Sequence, residues 1–511
     1  MKKINISRFT AFSLGFLALI LLVGCQNGNN SSTVSDRDTL IVGFPSNPAE
    51  IDPHAANDVP SRQISAHVFE NLLVRDADGN LQPGLATSWE LVEDNIWQFT
   101  IREGVTFHNG EPLTANDVAF SIKRVSQSAI LSPIFGMFEP ELIEVIDDYT
   151  VNIGTAEPFA PALIHLSHHA AAILSESAVG DTPMTETTLE QLVGSGPYKI
   201  TKLEFDEIIV LERFENFHGE HPNMRVIEFR IMPDPHTRTL NLEAGEVDVI
   251  INVAPTDIAS LTDNPEFTMT STPSHGVEYV GLNFRNDYLG VREVRQAINY
   301  ALQNDVIVQV STEGTHDLLS TYVAPSVFGF SPDVEPHGFD LDRAKELMDE
   351  AGIDGFDMDL LINSGSAVRL AAAEIIQNQL QLININVNIR QLEWAAYLEA
   401  RNEGDFDAFI GGWSNPSGDA DNGLVPILYT DVGDIRINSA ELDAMLMEGR
   451  RTVNEAERLA IYHDVLVYLR EAAPFVLLGN SSHFMATQNN VTGIQLMPSN
   501  VQFYGSAVFT E

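Results

Sequence analysis

Apolar and polar positions follow two textures along the chain. The first starts at Thr39-Leu40-Ile41-Val42-Gly43, an apolar run of the kind that forms a buried strand, and leaves into the turn-rich Pro45-Ser46-Asn47-Pro48 and Ile51-Asp52-Pro53-His54. A helix is expected over 66–73, an alternating strand over 97–101 and an extended piece at 105–107. Thr114 is placed to cap a helix whose Val118, Ile122 and Val125 share one face, with Asp117 as the acid of a capping box. Strands follow near 150–153, 226–231 and 247–251. From about residue 281 helix and strand alternate. Val291, Val294, Ile298 and Ala301 keep helical spacing, as do Leu341, Ala344, Leu347, Met348 and Ala351 before Gly352. A strand at 358–362, a helix using Ala372, Ile375, Ile376 and Leu380, a strand at 385–389, a helix through Trp394, Tyr397 and Leu398, and a strand at Phe406 complete a βαβαβ pattern. Such a pattern predicts a parallel sheet. No internal repeat is visible.

The stretch 405–422 draws attention within this second texture. Phe406, Ala408 and Ile410 alternate with more polar positions, and Gly411-Gly412 should end the strand just before Trp413. Ligands of open α/β sheets are held beyond the carboxyl ends of strands, so Trp413 and the loop 363–369 are expected on one rim. Trp413 fits two roles there, a core plug beside a glycine turn or a flat wall of a site. The loop carrying Ser46 and Asn47 is a second candidate wall.

Composition narrows the partners. Lys and Arg total 28 against 72 Asp and Glu, a net charge of −44, which repels phosphate backbones and excludes nucleic acid as a partner. With 44% hydrophobic and 20% charged residues the chain should be globular. Only six residues are lysine. Arginine preferred over lysine suits a surface in saline or alkaline medium, because a guanidinium keeps its charge there. Residues 1–25 have the form of an export leader: Lys2, Lys3 and Arg8, then an apolar run over 9–23 ending in Leu22-Val23-Gly24-Cys25. That ending looks like a bacterial lipobox, in which Cys25, the only cysteine, is acylated and becomes the new N-terminus. A polar tether over 26–38 would follow, leaving the folded part outside the cytoplasmic membrane and attached to it by lipid. No later stretch has the length of a membrane helix.

Several stretches in order resemble the extracytoplasmic solute-binding proteins of the peptide, nickel and glutathione class of ABC importers, bacterial solute-binding protein family 5, in lipoprotein form. They are 67–73, Pro83-Gly84-Leu85-Ala86 with Trp89, Arg102-Glu103-Gly104-Val105-Thr106-Phe107-His108-Asn109-Gly110, Ala115-Asn116-Asp117-Val118, Gly194-Ser195-Gly196-Pro197-Tyr198, Val294-Arg295-Gln296-Ala297 and Gly411-Gly412-Trp413. The resemblance implies an α/β, two-lobed periplasmic-binding-protein-like fold, with an extra subdomain in the first lobe and a hinge between lobes. On this basis a signal peptide spans 1–24, a lipidated tether 25–38, lobe I 39–278 with a subdomain at about 70–192, lobe II 279–483, and a return to lobe I 484–511. Crossings between lobes are expected near 276–283 and 478–484.

The implied function is capture of a peptide-like solute, an oligopeptide or a glutathione-like molecule, and its delivery to a permease whose energy comes from separate ATPase subunits. No phosphate-binding Gly-x-x-x-x-Gly-Lys loop occurs in the chain itself. The expected protein is a monomer without cofactor or metal, and not an enzyme. Trp413 would stack on the solute and Ser46 and Asn47 would face it. Dipeptide and oligopeptide binders of the family place an Asp three residues after this Trp to hold the ligand's amino terminus, whereas Pro416 stands here. Asp419 is therefore the candidate substitute, and Arg369 the nearest candidate for the arginine that grips a ligand carboxylate. An ordinary dipeptide should be a poor ligand. The alternatives are a secreted hydrolase, which lacks a nucleophile elbow and a His-Glu-x-x-His pair, and a binder of a nickel chelate or other non-peptide solute. His165, His168 and His169 have helical spacing, but without an adjoining acid they read as solvated surface histidines.

Overall fold

A strand of 14 residues, Phe475–Gln488, runs through the middle of a mixed sheet that is shared by two lobes. Its first half pairs antiparallel with Val277–Leu282, and its second half with Phe267–Pro273 and Val249–Ile251. The computed structural model describes residues 37–76, 79–430, 435 and 437–510, so Cys25 and the leader lie outside the described residues. On the first-lobe side, Val249–Ile251 is followed in the sheet by Thr39–Phe44, Val226–Ile231, Ile208–Arg213 and Tyr198–Glu204. On the other side, Val277–Leu282 is followed by Ala408–Trp413, Phe356–Asn363 and Ile385–Leu392. These last three are mutually parallel, as the βαβαβ pattern predicts, but Ala408–Trp413 also pairs antiparallel with Val277–Leu282, which makes the sheet mixed.

The two lobes have separate apolar cores because each flank of the sheet is covered by its own helices. In the second lobe Val294, Ala297, Ile298, Leu347, Ile376 and Leu380 close on strand residues Leu360, Ile362, Ala408 and Ile410. A third core belongs to the extra subdomain, where a four-stranded antiparallel sheet is packed by helix Ala115–Ser126. That helix begins with the expected capping box, Asp117 accepting from the Thr114 backbone N–H at 2.9 Å, and buries Val118, Ile122 and Val125 completely.

Three local expectations are corrected. The first-lobe helix is Val59–Val68 rather than 66–73, since Asp58 caps it by accepting from Ser61 N–H at 3.0 Å and Pro60 fits its first turn. Residues 105–107 form no strand, only an isolated bridge from Thr106 to Pro112. Gly411-Gly412 does not end its strand. Ala408–Trp413 continues through both glycines, paired with Val277–Leu282, and position 412 takes glycine because a Cβ there would run into the Glu278 carboxylate.

Two chain segments join the lobes, and they are bonded to each other. Between Phe267–Pro273 and Val277–Leu282 the chain crosses at Ser274, whose N–H donates to Ser481 carbonyl at 2.9 Å. Buried Asn480 donates its amide to the Ser274 carbonyl at 2.9 Å. Hinge and sheet are thus one hydrogen-bonded structure. No helix among the described residues is long and apolar enough to cross a membrane.

Candidate functional site

The space beside these crossing strands is a cavity of about 350 Å³, a volume in the range of small-molecule sites. Both lobes line it: Val59 and Arg62 from the first-lobe helix, Ser274, His275 and Glu278 from the crossing, and Arg369, Trp413 and Ser414 from the second lobe. His275, Pro498 and Ser499 also line a neighbouring cavity of about 760 Å³ that extends past Arg75 and His169 toward the subdomain. The two form one cleft. Subdomain and second lobe also touch directly, with Ala160 N–H donating to the Arg450 carbonyl at 2.7 Å.

Trp413 and Arg369, from the two loops expected to share a rim, both face this cleft. Trp413 is the last residue of its strand and packs partly against the second-lobe core. Its indole Nε1 is shielded from solvent and has no acceptor among the described residues. Arg369 lies in the first turn of helix Ala367–Leu380, capped by Ser366. Its guanidinium bonds the Glu278 carboxylate at 3.0 Å and Asn363 Oδ1 at 2.7 Å. Burial pushes the Glu278 carboxyl above its usual range, and Arg369 opposes that shift.

The other candidates lie elsewhere. Ser46 is exposed, and Asn47 exchanges hydrogen bonds of 2.6 and 2.9 Å with Asp206 in the turn of the Tyr198–Glu204 and Ile208–Arg213 hairpin. Neither lines the cleft. Asp419 is fully buried and caps helix Ala420–Leu428, accepting from Asp421 N–H at 2.9 Å. Arg458 grips both of its oxygens, at 2.6 and 2.7 Å, and also donates to Tyr462 Oη and the Gly449 carbonyl. No oxygen of Asp419 is left facing the cleft for a ligand's ammonium. The histidines are not solvated either: His165 and His168 are buried in the subdomain, and no three His, Cys, Asp or Glu among the described residues are arranged to hold a metal ion.

Glu278 and Arg62 were not anticipated. Glu278 could have been found as a lone acid inside the apolar run Val277-Glu278-Tyr279-Val280, where a charge needs a reason. Arg62 was hidden by the displaced helix start. Three guanidinium groups now line the cleft, those of Arg62, Arg75 and Arg369. Arg75 donates to the Ser417 carbonyl at 2.6 Å across the cleft, beside the loop where Asn415 and Gly418 take positive φ. His275 is held neutral, its pKa depressed to about 3, first by burial and then by the charge of Arg75. Three carboxylates, those of Glu70, Asp76 and Glu278, line the same cleft, and they are spread unevenly: the smaller cavity holds Arg62 and Arg369 against Glu278 alone.

Comparison with known proteins agrees with this geometry. Residues 80–434 match the family described as bacterial extracellular solute-binding proteins, family 5 Middle. Heme-binding protein A of Haemophilus influenzae is 28% identical, the match covering 96% of this chain and 97% of that one. The dipeptide-binding protein of Escherichia coli is 27% identical, over 90% of this chain and 92% of its own. The structure of HbpA2 from Haemophilus parasuis superposes with a TM-score of 0.85 at 25% identity, covering 92% of this chain and 99% of that one.

Proposed function

Because the chain belongs to the bacterial extracellular solute-binding proteins of family 5, we propose that its interlobe cleft captures a peptide-like solute outside the cell and hands it to the permease of an ABC importer. The observation that carries this reading is Trp413, the last residue of its strand, lining a cleft built by both lobes. Oligopeptides and glutathione-like molecules fit the combined cavities. An ordinary dipeptide fits less well, since Pro416 replaces the acid that would hold its amino terminus and Asp419 is committed to Arg458. Trp413 and Arg369 are the ligand contacts of this proposal, and the protein acts as a monomer that binds without catalysis.

The test is calorimetric titration with short peptides and glutathione. Trp413→Ala should weaken whichever ligand binds by about 2 kcal/mol, roughly thirtyfold, as for an aromatic anchor at a buried contact. Affinity unchanged by the substitution would return Trp413 to a packing role. Turnover of the titrated peptide would favour the hydrolase alternative.

The lipobox reading of Cys25 completes the proposal: the acylated cysteine tethers the folded part to the outer face of the cytoplasmic membrane. Cys25→Ala should move the protein to the soluble fraction and leave ligand affinity as it was, because the polar stretch 26–38 separates anchor and cleft. A variant that stays with the membrane fraction would refute the anchor.

A further inference from the structure

Among the three arginines of the cleft, Arg62 alone has nothing to bond. Its residue is 9% exposed, its Nε is shielded from solvent without an acceptor, and its guanidinium makes no hydrogen bond or ion pair with any described residue. The acid whose charge it feels, Asp58, is occupied at the helix cap: its oxygens accept from Ser61 N–H at 3.0 Å and Ser61 Oγ at 2.6 Å. Arg369, by contrast, has Glu278, and Arg75 has the Ser417 carbonyl. A cation withdrawn from water with no counter-charge destabilises the protein that carries it. At a cleft wall, the compensating charge can arrive with the ligand.

We propose that Arg62 is the anchor for a carboxylate of the solute, so that this protein selects acidic ligands through its first lobe. The geometry makes Arg62 a specificity residue distinct from the Trp413 contact: it comes from the first-lobe helix Val59–Val68, whereas Trp413 and Arg369 come from the second lobe. Glu278 is already paired with Arg369, so within the smaller cavity the positive charge of Arg62 has no carboxylate of its own. A planar guanidinium matches a carboxylate with two parallel hydrogen bonds, which an ammonium or a neutral amide of the ligand could not supply. The carboxylate could be a peptide's terminus or an acidic side chain, and the two present the same chemistry to Arg62.

This inference rests on the peptide-capture reading, and the test separates the two. The purified full-length chain, Arg62→Gln and Arg62→Lys are titrated with trialanine, trialaninamide and alanyl-glutamyl-alaninamide. The wild type should bind at least one acid-bearing peptide about tenfold or more tighter than trialaninamide, the loss expected for a charged hydrogen bond. Arg62→Gln should reduce that preference to about twofold or less, and Arg62→Lys should keep part of it. The preferred acid identifies the terminal or the side-chain carboxylate. Arg62→Gln should also melt no lower than wild type without ligand, since it removes an unpaired buried cation. Trialaninamide bound as tightly as the acids, or a preference that survives Arg62→Gln, would overturn the assignment while leaving peptide capture intact. If none of the three binds, capture of short peptides of this kind fails, and glutarate decides the rest. A melting temperature raised by glutarate in wild type but not in Arg62→Gln sustains the carboxylate anchor, and an equal or absent response in both overturns it.

Discussion

Asp419→Asn is expected to destabilise the fold by about 3–5 kcal/mol, because it leaves Arg458 as an uncompensated buried cation. The Arg458 side chain is 4% exposed and Asp419 is fully buried, so water cannot replace the lost carboxylate. Both oxygens of Asp419 are engaged by Arg458, and one of them also serves the cap of helix Ala420–Leu428. Domains are stable by only about 5–15 kcal/mol, so a loss of this size should be plain in urea titration. Replacing both partners, Asp419→Leu with Arg458→Met, should recover much of the loss, as apolar substitutes for a buried pair often do. The same Asp419→Asn change should not reduce ligand affinity to the degree that Trp413→Ala does. A variant of normal stability that had lost amino-terminus recognition would give Asp419 the ligand role that its sequence position suggested.

Acid should unfold this protein well before its carboxylates lose their charge. His54 and His67 are wholly buried and burial lowers each from 6.5 to about 4. Their hydrogen bonds demand the neutral form. His54 Nε2 donates to the Ala172 carbonyl at 3.0 Å while Nδ1 accepts from Arg124 at 3.0 Å. His67 Nδ1 donates to the Gln63 carbonyl at 2.9 Å while Nε2 accepts from Tyr504 N–H at 3.0 Å. Between pH 6.5 and about 4 the unfolded chain therefore binds more protons than the folded one, and stability falls as pH falls through that window. Each histidine carries roughly 3 kcal/mol by pH 4, so the two together rival the stability of a whole domain. Relief of the net charge works in the opposite direction, but the carboxylates that provide it titrate mainly near pH 4, at the low end of the window. The melting temperature should be level above about pH 7 and drop steeply by pH 4.5. A level profile over the whole range would mean that neither ring is held neutral by the fold.

The elements were legible in the sequence wherever burial is periodic and local. Leu341–Ala351 with its Gly352 stop, the capped helix at Ala115–Ser126 and the parallel strands near Phe356–Asn363 follow directly from spacing and end residues. The rule that ligands gather at strand exits led to Trp413 and Arg369, which the structure brings to one cleft. What failed depended on partners distant in the chain. Asp419 finds Arg458 39 residues later, and Asn47 finds Asp206 159 residues later; neither pairing leaves a trace in local pattern. The buried histidines misled for a similar reason, since His168 and His165 point into a core assembled by the whole subdomain. Arg62 needed only the correct helix start, which Asp58 and Pro60 did mark.

Strand Phe475–Gln488 holds the centre of the sheet, yet it comes from the last tenth of the chain. During synthesis, Val249–Ile251, Phe267–Pro273 and Val277–Leu282 must wait for it with open edges, so neither lobe can complete its sheet until nearly the whole polypeptide has emerged. A nascent chain in that condition stays an unfinished polymer, which suits passage through a membrane as a thread and acquisition of its shape only on the far side.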